Sequence, residues 1–338
     1  MARLPLAEIS SDILLQSIPT SPTWDSLWVL LRVCRAWNNL ALATPFLWST
    51  ITDDGISWTR FADVLQIWLA RAGGLPLSLI FPNITWNVFL RRTFQALEAQ
   101  IPRIERMELS PLHDEDFTGM KYPFMGLTSL TVGQSNVSPD LCVQLLRRAP
   151  NLVHLDLYDV GFYAASIPTH LTHFTLQRLH FGRQLLTLPA LQSLVLCRYH
   201  ITEANLLDFL TRSAPPLRHL NLRLKTEDVR SEGIRACLRL VPCLTQLEIM
   251  LPDSPHSSFD LWTHSPDLLP LLQNLTIEEF YDHGSEAYAR VVNFLAKRRD
   301  SLRSLRLIVP VPAQVLDDAV AAALRVPRDD GMDKASVR

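Results

Sequence analysis

Nine times between Ile104 and Leu307 the chain returns to one short pattern: a large apolar residue, two variable ones, a second apolar residue, one variable, and a third apolar residue. The units begin at Ile104, Leu127, Leu152, Leu171, Leu191, Leu217, Leu244, Leu272 and Leu302, so successive starts lie 23, 25, 19, 20, 26, 27, 28 and 30 residues apart. Side chains alternate along a strand, so the fourth and sixth residues of each unit face the same way and the first begins the same set. Burying three aliphatic groups stabilises one unit by roughly 1.5–3 kcal/mol each, whereas ordering its backbone costs about 1–2 kcal/mol per residue. A single unit therefore cannot stand alone, and neighbours must stack.

That spacing is the leucine-rich repeat period. Segments with helical periodicity lie between several units, namely "SPDLCVQLLRRAP", "TEANLLDFLTRSAP" and "SEAYARVVNFLAKRRD". Ser138 before Pro139, and Thr202 before Glu203, are helix-start signals. The expected fold class is α/β, a horseshoe solenoid with strands inside and helices outside. The two shortest units have room only for extended or 3₁₀ returns. Residues 250–270 read as an irregular loop, and the chain after residue 312 as one last helix and a short tail that caps the array.

The first hundred residues differ in kind: seven of the eight tryptophans fall at or before Trp86. The "TDDGIS" stretch marks a boundary, giving an expected order of 1–54, a helical module; 55–100, a linker with N-terminal capping elements; 101–312, the repeats; and 313–338, a C-terminal helix and tail. In the capping region, "WTRFADVLQIWLARAGGLPLSLIF" predicts a helix ended by Gly73 and Gly74 and then a strand through Leu75, Leu77 and Leu79, and a second helix is expected near residues 87–99. Three short helices are expected before the boundary: one near Glu8 to Ile18, one from Ser21-Pro22 through Cys34 to Trp37, and one around Phe46 to Trp48. The middle one carries Trp24, Leu27, Trp28, Leu30, Leu31, Val33, Cys34 and Trp37, wider than one apolar stripe. A module of this size cannot bury all of that alone, so it docks on the repeats or binds another protein.

The stretches "EISSDILLQSIP", "LLRVCRAWNNLAL" and "TPFLWSTI" resemble the F-box, in the form common among fungal F-box proteins with leucine-rich repeats, and "WLARAGGLPLSL" extends the resemblance. The resemblance implies a three-helix F-box followed by the solenoid. It also implies a substrate receptor of an SCF-type ubiquitin ligase, binding the Skp adaptor and, through it, a cullin-RING core. On it, Ile9, Ile13, Leu14, Ile18, Leu31, Val33, Cys34, Trp37 and Trp48 occupy the family's hydrophobic positions, some as core and others as adaptor contacts. The alternative is an interaction scaffold with no ligase function, in which this segment is structural only.

The target protein is expected on the outward strand positions, three, five and seven of each unit. These are His154, Asp156 and Tyr158; His173, Thr175 and Gln177; His219, Asn221 and Arg223; Glu248 and Met250; Glu278; and Arg306. Glu248 and Glu278 point to a basic target segment. Ser193 interrupts the histidine row, leaving too few ligands for a zinc site. The loops near His113, His256 and His283 match no nucleophile elbow, metalloprotease, P-loop or dinucleotide motif, so neither catalysis nor a cofactor is expected. A formal net charge of -2 gives no global attraction to nucleic acid or anionic membrane. No apolar run reaches a membrane-spanning length and no signal-peptide layout follows Met1, so cytoplasmic or nuclear residence is expected. The five scattered cysteines fit reduced thiols.

Overall fold

The computed structural model describes residues 24–52, 61–81, 93–110, 122–133, 139–158, 170–177, 187–199, 202–224, 231–250, 268–278, 302–308 and 336–337. Several expectations lie outside these residues: the first helix with Ile9, Ile13, Leu14 and Ile18, the returns of the two shortest units, most of the 250–270 loop, the helix near residues 285–300, the last helix, and the loops around His113, His256 and His283. Two compact units are present, Met1–Leu152 and Val153–Arg338.

In the first unit, helices α1 (Trp24–Val33) and α2 (Arg35–Leu42) lead through a 3₁₀ turn (Pro45–Trp48) to strand β1 (Thr50–Thr52). The long second helix expected through Trp37 is corrected here: it breaks at Cys34, whose backbone is extended (φ -162°, ψ 170°). The break frees the Leu31 carbonyl, and the Asn38 side chain satisfies it by donating from Nδ2 at 2.8 Å. Sending the apolar residues into two helices lets part of the set turn inward, which one straight helix does not allow.

Helix α3 (Phe61–Ala72) ends where Gly73 adopts φ +59°, as the Gly-Gly pair predicts. Strand β2 (Leu77–Phe81) follows, and a 3₁₀ segment (Glu98–Arg103) leads into β3 (Ile104–Leu109), then β4 (Ser129–Gly133) and helix α4 (Pro139–Arg148). All pairings are parallel: β1 with β2, β2 with β3, β3 with β4. Ile51, Leu79, Met107 and Leu130 stand in register and are at most 2% exposed, so β1 and β2 continue the inward row of the repeats. Three edge-to-face aromatic pairs fill the spaces around it: Trp48 with Trp68, Phe61 with Phe81 and Phe94 with Phe124, with centroids 6.0–6.1 Å apart.

The turn before β4 requires glycine. A Cβ on Gly126 would overlap the Pro102 carbonyl oxygen and lie 3.1 Å from that of Ile104. Both are backbone atoms, so Gly126→Ala is expected to destabilise the first unit by about 1–3 kcal/mol. Denaturant unfolding checks this, and an unchanged midpoint would contradict the close approach.

The second unit stacks β5 (His154–Tyr158), β6 (His173–Gln177), β7 (Ser193–Tyr199), β8 (His219–Leu224), β9 (Gln246–Met250), β10 (Asn274–Glu278) and β11 (Ser304–Ile308), each parallel to the next. A two-residue strand β12 (Ser336–Val337) pairs with β11. The unit-leading residues Leu171, Leu191, Leu217, Leu244, Leu272 and Leu302 are buried. One backbone device repeats: successive N–H groups at positions two and three converge on the position-two carbonyl of the preceding unit. Thr172 and His173 donate to Val153, Gln192 and Ser193 to Thr172, Arg218 and His219 to Gln192, and Thr245 and Gln246 to Arg218, at 2.8–3.1 Å.

Helix α5 (Glu203–Ser213) starts at Thr202, whose hydroxyl accepts from the Asn205 N–H, and ends at Ala214 in the left-handed region. Its Leu206, Phe209 and Leu210 are buried. Helix α6 (Ser231–Arg239) packs beside it and buries Ile234, Cys237 and Leu238. The sequence reading missed α6.

Candidate functional site: the outward strand face

Alternation along β5–β10 places inward residues against the core and leaves positions three, five and seven facing out. The inward side is apolar throughout: Leu155, Phe174, Leu194, Leu220, Leu247 and Leu275 are at most 1% exposed. The stacked units have leucine-rich repeat construction. No protein-family model matches the chain, and no curated protein matches it. Among solved structures it is similar to the leucine-rich repeat-containing protein LegL7 from Legionella pneumophila, at 15% identity and a TM-score of 0.44, covering 82% of this chain and 96% of that one.

Register aligns the outward residues in rows. The position-three row reads His154, His173, Ser193, His219, Gln246, Asn274 and Ser304. Position five reads Asp156, Thr175, Val195, Asn221, Glu248, Thr276 and Arg306, and position seven reads Tyr158, Gln177, Cys197, Arg223, Met250, Glu278 and Ile308. The outward positions expected from the sequence thus fall in register on the strands of one unit.

His154 and His173 are exposed and stacked, with ring centroids 4.1 Å apart and planes at 24°. Thr172 Oγ1 lies 2.8 Å from His173 Nδ1. Burial holds the His173 ring below its ordinary basicity, positive charge on His154 or His219 would push it further down, and Asp156 opposes them. Burial also lowers His219, against the opposing Glu248 carboxylate.

A lowered folded-state value means that the unfolded chain binds more protons, so stability rises with pH. The stability contributed by these neutral rings is full above the ordinary histidine value of about 6.5 and is lost as pH falls below it. The thermal midpoint of the wild type is expected to fall on acidification from about pH 7.5 to 5.5, and less steeply for His173→Gln. Equal slopes for both chains would contradict this.

Beside the stack, three neighbouring strands form a polar network. Ser193 Oγ lies 2.9 Å from His219 Nδ1, Asn221 Nδ2 donates to Glu248 Oε2 at 2.6 Å, and Gln246 Nε2 donates to Glu248 Oε1 at 3.2 Å. His219 Nε2 is 4.0 Å from Glu248 Oε1. Burial disfavours the charged form of the ring, and no hydrogen bond joins the two atoms. Asn221 is only 8% exposed, so its outward position on the strand does not make it a surface group. Glu278 lies 3.9 Å from Arg223 across the intervening strand. Ser193 and Gln246 belong to this network and were not read as site residues, although Gln246 occupies the same position three as the histidines.

A second surface lies in the first unit, where the apolar residues divide. Leu27, Leu30, Ala41, Leu47 and Trp48 are buried. Val29, Val33 and Phe46 are 62%, 55% and 54% exposed. Leu31, Cys34 and Trp37 are half-buried. Trp48 is core: its Nε1 donates to the Ala41 carbonyl at 2.8 Å, and the Arg71 guanidinium sits 4.4 Å over its ring.

Among the described residues, no group of three histidines, cysteines or carboxylates is placed to hold a metal ion, and no helix is long and apolar enough to cross a membrane.

Proposed function

We propose that the chain is a non-catalytic recognition subunit. Its N-terminal helix pair recruits a Skp-type adaptor and, through it, a cullin-RING ubiquitin ligase core, in the cytoplasm or nucleus, while the outward strand face holds a target protein. Such a subunit accelerates modification by tethering, which raises the effective concentration of a target lysine at the ligase. The observation that carries this reading is the exposed apolar set of the helix pair. Val29 and Val33 stand one turn apart on α1, and both remain outside a core that their neighbours complete. Leu31, Cys34 and Trp37 are the half-buried residues beside them.

A specific observation favours the scaffold reading as the second choice. The 3₁₀ turn and β1 are built into the sheet, so this segment has a structural role of its own. Co-expression with a Skp adaptor separates the two readings: co-purification supports the receptor, and its failure leaves the scaffold.

A further inference from the structure

The outward face of β5–β11 carries three carboxylates, Asp156, Glu248 and Glu278, and two guanidiniums, Arg223 and Arg306, among its described residues. Their distribution is uneven. Glu278 has Arg223 at 3.9 Å. Glu248 is held instead by two neutral amides, Asn221 and Gln246, and no Lys or Arg of the described residues pairs with it. Its side chain is 27% exposed, so the carboxylate remains within reach of a partner. Beside it, nine-tenths-buried Asn221 has an amide oxygen, Oδ1, that accepts no hydrogen bond. A partly exposed carboxylate fixed by neutral donors, beside a buried amide oxygen that accepts nothing, suits a positively charged group with several N–H donors.

We propose that the strand face binds a basic segment of a partner protein, with a Lys or Arg side chain seated on Glu248 beside Asn221, and that protonation of His173 and His219 releases it. This rests on the strand face being the target-binding surface. Among the described residues, when the histidines are neutral, the carboxylates exceed the guanidiniums by one. Protonating His173 and His219 reverses that balance and places a positive charge 4.0 Å from the Glu248 carboxylate. The groups facing this row are His154, Asp156 and Tyr158 on β5, His173 on β6, Cys197 on β7, His219 and Arg223 on β8, Glu248 on β9, Glu278 on β10 and Arg306 on β11. Of these groups, burial lowers the basicity of His173 and His219, and the Glu248 carboxylate opposes that at His219.

The test is fluorescence anisotropy of a rhodamine-labelled hexalysine peptide with the full chain, acetylated hexalysine serving as the uncharged control. Lysine keeps its charge throughout, so any pH response belongs to the protein. Binding is expected at about pH 7.5 and about tenfold weaker at pH 5.5, with the pH response reduced in His219→Gln and in the exposed-site variant His173→Gln. Glu248→Gln, which keeps the shape of the side chain, is expected to weaken binding at least about fivefold, and Glu278→Gln less than about twofold.

Absence of binding at neutral pH, equal loss in the two glutamate variants, or an undiminished pH response in both histidine variants overturns the proposal. The adaptor surface lies on other residues. A chain that retains the adaptor but ignores hexalysine sinks this inference alone, whereas one that binds hexalysine but not the adaptor sinks only the ligase reading.

Discussion

Trp48→Ala is expected to cost the first unit about 3–5 kcal/mol, the range for removing a large aromatic from a core. Three losses combine. The cavity opens against Trp68, whose ring meets that of Trp48 edge to face at 6.1 Å. The Ala41 carbonyl loses its 2.8 Å donor while Ala41 itself stays buried. Arg71 loses the ring beneath its guanidinium. Urea unfolding of the purified variant, followed by the remaining tryptophans, measures the sum. A loss below about 1 kcal/mol would mean that the tryptophan is not the residue fixing the helix pair to the sheet.

Leu247→Ala is the second large effect, at about 2–5 kcal/mol. Leu247 is fully buried and stands in register between Leu220 and Leu275, which are themselves at most 1% exposed. Removing it thins the contact on both sides at once. In a stack whose units touch only their neighbours, the damage concentrates on β8–β10. Hydrogen exchange is expected to show faster amide exchange over residues 219–224, 246–250 and 274–278. The outward Val195→Ala is expected to cost less than about 1 kcal/mol. Equal costs for the two substitutions would contradict the inward and outward assignment of the strand positions.

The repeat strands were legible because the signal is redundant: three inward positions recur in nine units, and the strands from β4 to β11 begin at position three of their units. Thr202 was legible as a helix start because capping is local, within three residues. The break at Cys34 was not. The apolar pattern runs straight through it, and the hydrogen bond that stabilises it comes from Asn38, which reads as an ordinary helix residue. Strand β1 is only three residues long, too short to display alternation, and exists through its pairing with β2. Helix α6 was hidden by Gly233 and a short polar start, and it is stabilised by packing on α5.

On the candidate face, the rows followed from the period, but the partners did not. Asn221 donates to a carboxylate 27 residues later, and Arg223 reaches Glu278 across a whole intervening repeat. This alters the expectation of a joint acidic pair: Glu278 has Arg223, whereas no Lys or Arg of the described residues pairs with Glu248. Within the helix pair, sequence could not separate core from surface, because both sets are equally apolar. The fold separates them through Trp48, which turns inward, and Val29 and Val33, which do not.

That separation is the central claim, and calorimetric titration of a purified Skp-type adaptor into the purified chain tests it most directly. The wild type is expected to bind saturably. The double substitution Val29→Asp with Val33→Asp is expected to bind at least about tenfold more weakly while unfolding at the same urea midpoint, since both residues lie outside the core. Absence of binding by the wild type, or equal binding by the variant, would contradict the account.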